Sequence, residues 1–124
     1  MKENFNILVV DDDFPLADSL ADILKDEGYN AIPLESGVLA LETIKTMDVH
    51  LVIMDIKMPV LNGVETYKRM KKMKTPIPVI MMTAYTTDEL INEAIKEGVY
   101  AALNKPLNLE NLIAMVALIK KGNR

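Results

Sequence analysis

Ile7-Leu8-Val9-Val10-Asp11-Asp12-Asp13, near the start of the chain, is echoed further along by Leu51-Val52-Ile53-Met54-Asp55. Each is a short, uninterrupted apolar run that ends on acid. A strand covered on both faces reads this way, because neither side of it meets water. Two such strands in one parallel sheet bring their carboxyl ends to the same edge, where open α/β sheets build their sites. Two carboxylates ~4 Å apart repel by ~4 kcal/mol at an effective dielectric of ~20, so acids gathered there require a cation or a proton.

Along the chain, strand-like runs alternate with helical patterns five times. Phe5 to Val10 is the first strand. A helix follows with Leu16, Leu20, Ile23 and Leu24 on its inner face, acids near its start, and Gly28 as its stop. Asn30 to Leu34 is a short second strand, and its Pro33 suits a sheet edge. Ser36 caps a second helix with Val38, Leu41 and Ile44 inward. His50 to Met54 is the third strand, and the third helix turns Val64, Tyr67, Met70 and Met73 inward. Val79 to Met82 is the fourth strand, before a capping box Thr86-Thr87-Asp88-Glu89 and a helix running to Gly98. Val99 to Leu103 is the fifth strand. Asn108 then caps a last helix whose core stripe is Leu109, Leu112, Ile113, Val116 and Ile119. This (βα)5 order predicts an α/β, flavodoxin-like, doubly wound parallel sheet of strand order 2-1-3-4-5, with its crevice at the switch point between the first and third strands.

Asp11, Asp12 and Asp55 end those two strands, Thr83 ends the fourth, and Lys105 follows the fifth. Three acids, a hydroxyl and an ammonium suit a phosphoryl group: the acids hold a divalent metal while Lys105 and Thr83 meet phosphate oxygens. Oxygen ligands without His or Cys point to Mg2+, with Mn2+ a usual substitute. Neither GxxxxGK[ST] nor GxGxxG occurs, so phosphate is held without a glycine-rich loop. A carboxylate can itself be the nucleophile and form an acyl phosphate.

With 124 residues, half of them apolar, the chain can bury one core and has little room for two. Its formal charge of -4 argues against a direct nucleic-acid binder. The one basic run, Lys68, Arg69, Lys71, Lys72 and Lys74, reads as a solvated helix face. There is no cysteine, no apolar stretch approaching the ~20 residues of a membrane span, and no targeting signal at the start. A cytoplasmic protein is expected.

Taken together, Ile7-Leu-Val-Val-Asp-Asp-Asp13, Asp55-Ile-Lys-Met-Pro-Val-Leu-Asn-Gly63, Met82-Thr-Ala84 and Asn104-Lys-Pro106 resemble the receiver domain of two-component response regulators over residues 5 to 121. The resemblance implies that Asp55 is the phosphoacceptor and that Asp12, Asp55 and the backbone carbonyl of Lys57 coordinate Mg2+. Asp11 would act through a metal-bound water, and Thr83 and Lys105 would bind the phosphoryl oxygens. The Lys105-Pro106 bond is similar to one that is usually cis in the family. Asp13 is more variable there and is read as either a site acid or the cap of the first helix. The resemblance also implies a sensor histidine kinase or phosphotransfer protein as donor. A downstream target or the protein's own output domain would be reached through the fourth helix, fifth strand and fifth helix, where Glu89, Glu93, Lys96 and Glu97 are available. A single receiver domain over residues 1–124 is expected, with no output domain visible. It is either a complete regulator or part of a longer one. Such a domain is not an enzyme beyond its own phosphorylation and slow dephosphorylation.

Other features bear on that expectation. The family often carries an aromatic ring three residues before the lysine, and here Ala102 stands there; Tyr100, on the same strand face by period two, is a partial substitute. Lys57 and Tyr85 flank the path of an attacking water and predict a slowly hydrolysed phosphoryl group. Met58-Pro59 and Asn62-Gly63 read as turn chemistry, with positive φ expected at Asn-Gly. His50, the single histidine, reads as a strand-start residue and not a phosphohistidine. The rivals are a small phosphohydrolase of the haloacid dehalogenase type, with Asp11 as nucleophile of an Asp11-x-Asp13 motif, and a phosphorylation-independent module of the same fold.

Overall fold

Five apolar runs pair as one parallel sheet in the computed structural model of the chain, which describes residues 4–73, 76–84 and 89–122. The elements are β1 (Asn6–Val10), α1 (Phe14–Asp26), β2 (Asn30–Leu34), α2 (Gly37–Thr46), β3 (Leu51–Asp55), α3 (Gly63–Met73), β4 (Val79–Thr83), α4 (Glu89–Glu97), β5 (Ala101–Asn104) and α5 (Leu109–Gly122). The sheet order is β2-β1-β3-β4-β5, as expected, and Pro33 lies on an edge strand. Crossing from β1 to β3 reverses the direction in which strands are added, which opens the crevice beyond their carboxyl ends.

Period-two alternation divides the core into halves. Ile7, Val9, Leu51, Ile53, Ile80 and Met82 face α1 and α5. Leu8, Val10, Val52, Met54, Val79 and Met81 face α2, α3 and α4. Consecutive residues Met81 and Met82 of β4 therefore sit in opposite halves. Every one of these strand residues is at most 2% exposed, which is why the runs are continuously apolar.

Local chemistry sets the helix ends. Asp13 Oδ1 accepts from the Leu16 N–H at 3.3 Å, Ser36 Oγ from Leu39 at 3.1 Å, and Asn108 Oδ1 from Asn111 at 3.0 Å. Asp13 thus takes the cap role. Gly28, at φ 97°, closes α1 in the left-handed region that glycine enters freely. Thr86, Thr87 and Asp88 of the expected capping box lie outside the described residues, as do Lys74 and Tyr85.

The structure corrects several inward assignments. Leu16, Val38 and Leu109 are 43%, 44% and 40% exposed, and the small residues Ala17, Gly37 and Ala40 take core positions instead. Close packing of the helices on the sheet and on one another selects small side chains. At Gly37 a Cβ would collide with Thr66 Oγ1 of α3. β2 keeps its expected bounds, and the other four strands shift by one or two residues at one or both ends, so His50 precedes β3. Its Nδ1 accepts from the Asn6 N–H at 2.9 Å and its ring stacks on Phe5 at 5.3 Å, a structural role at the strand start.

Candidate functional site

Register delivers the acids. Val10 pairs with Met54, so Asp11 and Asp55 leave the sheet side by side, and Thr83 pairs with Asn104 so that Lys105 comes next to it. The Lys105 N–H donates to Thr83 O at 2.7 Å, extending the ladder past the strand end. The Lys105-Pro106 peptide is cis, as the resemblance implied.

Asp11, Asp12 and Asp55 each offer a carboxylate oxygen, all within 4.8 Å of one another. Asp11, Asp55 and Thr83 are buried while Asp12 is exposed, so the cluster opens to solvent on the Asp12 side. Lys105 Nζ reaches in, 2.9 Å from Asp11 Oδ2 and 3.5 Å from Asp55 Oδ2. Asp11 Oδ1 accepts from the Asp13 N–H at 3.0 Å, so both Asp11 oxygens are engaged.

Electrostatics separates these groups. Burial, followed by repulsion from Asp11, pushes Asp55 up to about 6 against the pull of Lys105. Desolvation works against the Lys105 ammonium, but hydrogen bonding to Asp11 and the charges of Asp55 and Asp11 outweigh it and raise its pKa. One ammonium therefore does not neutralise the cluster. An all-oxygen donor set with excess negative charge fits a hard divalent cation such as Mg2+.

The loop from Asp55 to α3 is shaped differently from its sequence signal. Positive φ falls on Val60, at 68°, and not on Asn62-Gly63. The Leu61 N–H donates to Pro59 O at 2.7 Å, closing a three-residue γ-turn of the strained hand with Val60 at its centre. Val60 is 94% exposed, whereas Met58 and Leu61 beside it are buried and hold the loop down. Asn62 is the cap of α3: its Oδ1 accepts from the Glu65 N–H at 2.9 Å, and Glu65 Oε1 accepts from the Asn62 N–H at 3.1 Å. Gly63 is there for space, since a Cβ would come within 2.6 Å of Asp55 O and 3.0 Å of Ile56 Cα.

Beside Asp11 and Lys105 lies a groove of about 510 Å³ between α1 and the start of α5, lined by Val9, Leu16, Leu20, Met82, Leu107 and Leu109 among others. Leu16 and Leu109, expected in the core, are exposed because they form its walls. Helical periodicity cannot separate a core stripe from a groove one position off it. The basic run also proved more specific than a solvated face. Lys68 and Lys71 pair with Glu93 and Glu97 of α4, a link visible only once α3 and α4 are placed side by side.

The family model for the response regulator receiver domain matches residues 7–117. The chain belongs to the response regulator receiver domain family. Over 112 residues it is 40% identical to the transcriptional regulatory protein ZraR of Escherichia coli (strain K12), covering 90% of this chain and 25% of that protein. It is 33% identical to the sporulation initiation phosphotransferase F of Bacillus subtilis (strain 168), covering 88% of each. The receiver domain of the Francisella response regulator 1452 superposes with a TM-score of 0.89 at 29% identity, over 98% of this chain and 100% of that one. This receiver domain thus spans about a quarter of the length of its ZraR relatives and most of the phosphotransferase. Among the described residues, no helix is long and apolar enough to cross a membrane.

Proposed function

We propose that Asp55 accepts a phosphoryl group from a phosphohistidine donor, a sensor histidine kinase or a phosphotransfer protein, with Mg2+ as cofactor. One observation supports this above the others: Lys105 Nζ stands 3.5 Å from Asp55 Oδ2 inside a cluster of three carboxylates at the switch point of the sheet. Asp55, with its pKa raised to about 6, is mostly ionised at neutral pH and presents a carboxylate oxygen. That oxygen forms the new bond to phosphorus as the bond to the donor's imidazole nitrogen breaks, the nitrogen keeping the electron pair. Lys105 and Thr83 bind the phosphoryl oxygens, Lys105 shifting from Asp11 toward the transferred group. Asp12, Asp55 and the Lys57 carbonyl would hold Mg2+ or Mn2+, with Asp11 in its outer sphere. When bound, the cation lessens repulsion between the anionic donor and Asp55. The apolar groove beside Lys105 suits a protein donor, which can seat side chains there while its histidine faces Asp55.

The domain then acts on a downstream target or its own output domain through α4, β5 and α5. Apart from its own phosphorylation and slow dephosphorylation it catalyses nothing, and on the same resemblance it acts in the cytoplasm. Incubation with acetyl phosphate and Mg2+, read by intact mass, tests the assignment. A phosphoryl adduct is expected on the wild type and on Asp11→Asn at a lower level, and is lost in Asp55→Asn. Loss in Asp11→Asn alone would favour the phosphohydrolase, and no adduct on the wild type would favour the phosphorylation-independent module. Against the hydrolase stand the two hydrogen bonds that engage Asp11 and the helix-cap role of Asp13.

A further inference from the structure

Helix α4 is held differently from its neighbours. It buries one residue fully, Ala94, whereas α1 buries Ala17, Leu20, Ala21 and Leu24, and α3 buries five. Leu90 and Ile91 are half-buried against the core and Ile95 is 58% exposed. Polar contacts to α3 fasten its outer side. Lys68 Nζ meets Glu93 Oε2 at 2.5 Å, and Lys71 Nζ meets Glu97 Oε1 and Glu97 O, each at 2.7 Å. Tyr67 OH donates to Gly98 O at 3.1 Å just past the helix end. Spacings of three residues on α3 and four on α4 set the charges on facing stripes. The Lys71 ammonium on the last turn of α4 also complements the negative end of that helix.

The same helix follows the strand that ends at Thr83, beside Asp55. On the proposed reading, a phosphoryl oxygen bound by Thr83 pulls on the end of β4, and any shift this passes to α4 works against the ties of α4 to α3. On the other side the β5 residue packed toward this half of the core is Ala102, which is too small to brace the helix. We propose that the Lys68–Glu93 and Lys71–Glu97 pairs form a latch that holds α4 in its resting position and thereby opposes the phosphorylated state, given that Asp55 is the phosphoacceptor. Coupling is reciprocal, so a weaker latch must bind a phosphoryl mimic more tightly. The hydrogen bond from Lys71 holds the Glu97 carboxyl below its usual range, in keeping with a pair formed in the resting state.

The test uses the whole chain, with Lys68→Glu, Glu93→Lys and the two combined. Amide hydrogen exchange over residues 89–97 is expected to quicken about threefold in each single variant, to return toward wild type in the swapped pair, and to stay unchanged in β1 and β3. Raising NaCl to ~1 M should quicken the same amides in the wild type. Beryllofluoride with Mg2+ should bind the single variants two- to fivefold more tightly, by roughly the worth of an exposed pair. Unchanged exchange in α4, or affinity for beryllofluoride unchanged or weakened in both single variants, overturns the latch. Absence of an Asp55-dependent adduct from acetyl phosphate would remove the receiver assignment and the coupling with it, while the exchange data alone decide whether these pairs hold α4.

Discussion

Asp55 carries a cost that its chemistry explains. Its pKa in the fold, about 6, lies above the ordinary 3.8, so the folded state binds this proton more tightly than the unfolded chain does. Below about pH 4 both states are protonated and the residue is neutral to folding; as pH rises to about 6 the fold loses stability, and above that the loss is complete. Asp55→Asn is therefore expected to stabilise the protein in EDTA by about 1–3 kcal/mol at about pH 7.5, a gain that vanishes near pH 4. Urea unfolding across that range checks it, and a gain that grows toward acid would contradict the assignment. Lys57, two residues after Asp55, is exposed. Lys57→Ala and Tyr85→Ala are each expected to speed loss of the phosphoryl group severalfold. A wild-type half-life of seconds, unaltered by either, would exclude crowding of the attacking water.

Among the elements, the loop into α3 shows where sequence stops being legible. Asn62-Gly63 carries a familiar turn signal, yet its asparagine is a cap and its glycine makes room for the backbone of Asp55 and Ile56. The strained residue is Val60, which local propensity would never place at positive φ. Val60→Gly is expected to raise stability by up to ~1 kcal/mol, because relief of the turn exceeds the entropy that glycine adds to the unfolded chain. A urea midpoint that falls at constant m would refute this. Strands were legible to within two residues, since double-sided burial leaves an unbroken apolar run. Helix faces were less so. Leu16, Val38 and Leu109 lie at the margin of the apolar stripe, and only tertiary packing decides that Ala17, Gly37 and Ala40 go inside. The ties from α3 to α4 join residues 25 or 26 apart in the chain, beyond any periodicity.

For the molecule as a whole, alternation and a count of five strands point to an open doubly wound sheet, the flavodoxin-like order 2-1-3-4-5 is the one found, and the gathering of Asp11, Asp12, Asp55, Thr83 and Lys105 follows from that order. Cation binding to such a preformed cluster must appear as global stability. Mg2+ at about a hundredfold above its dissociation constant should add ~2.7 kcal/mol to unfolding, and Asp12→Ala should abolish most of the gain. Thermal melts with and without Mg2+ measure this, and an equal gain in Asp12→Ala would place the cation elsewhere. Met81 and Met82, immediately before Thr83, lie one in each half of the core. Both are unbranched thioethers that repack at little cost. The end of β4 thus presents deformable side chains to both halves of the core, and Met54, just before Asp55 on β3, adds a third, while the other core strand residues named above are Ile, Val and Leu. Mechanical compliance is concentrated at the point where phosphoryl chemistry would push, so β4 can give there without opening a void.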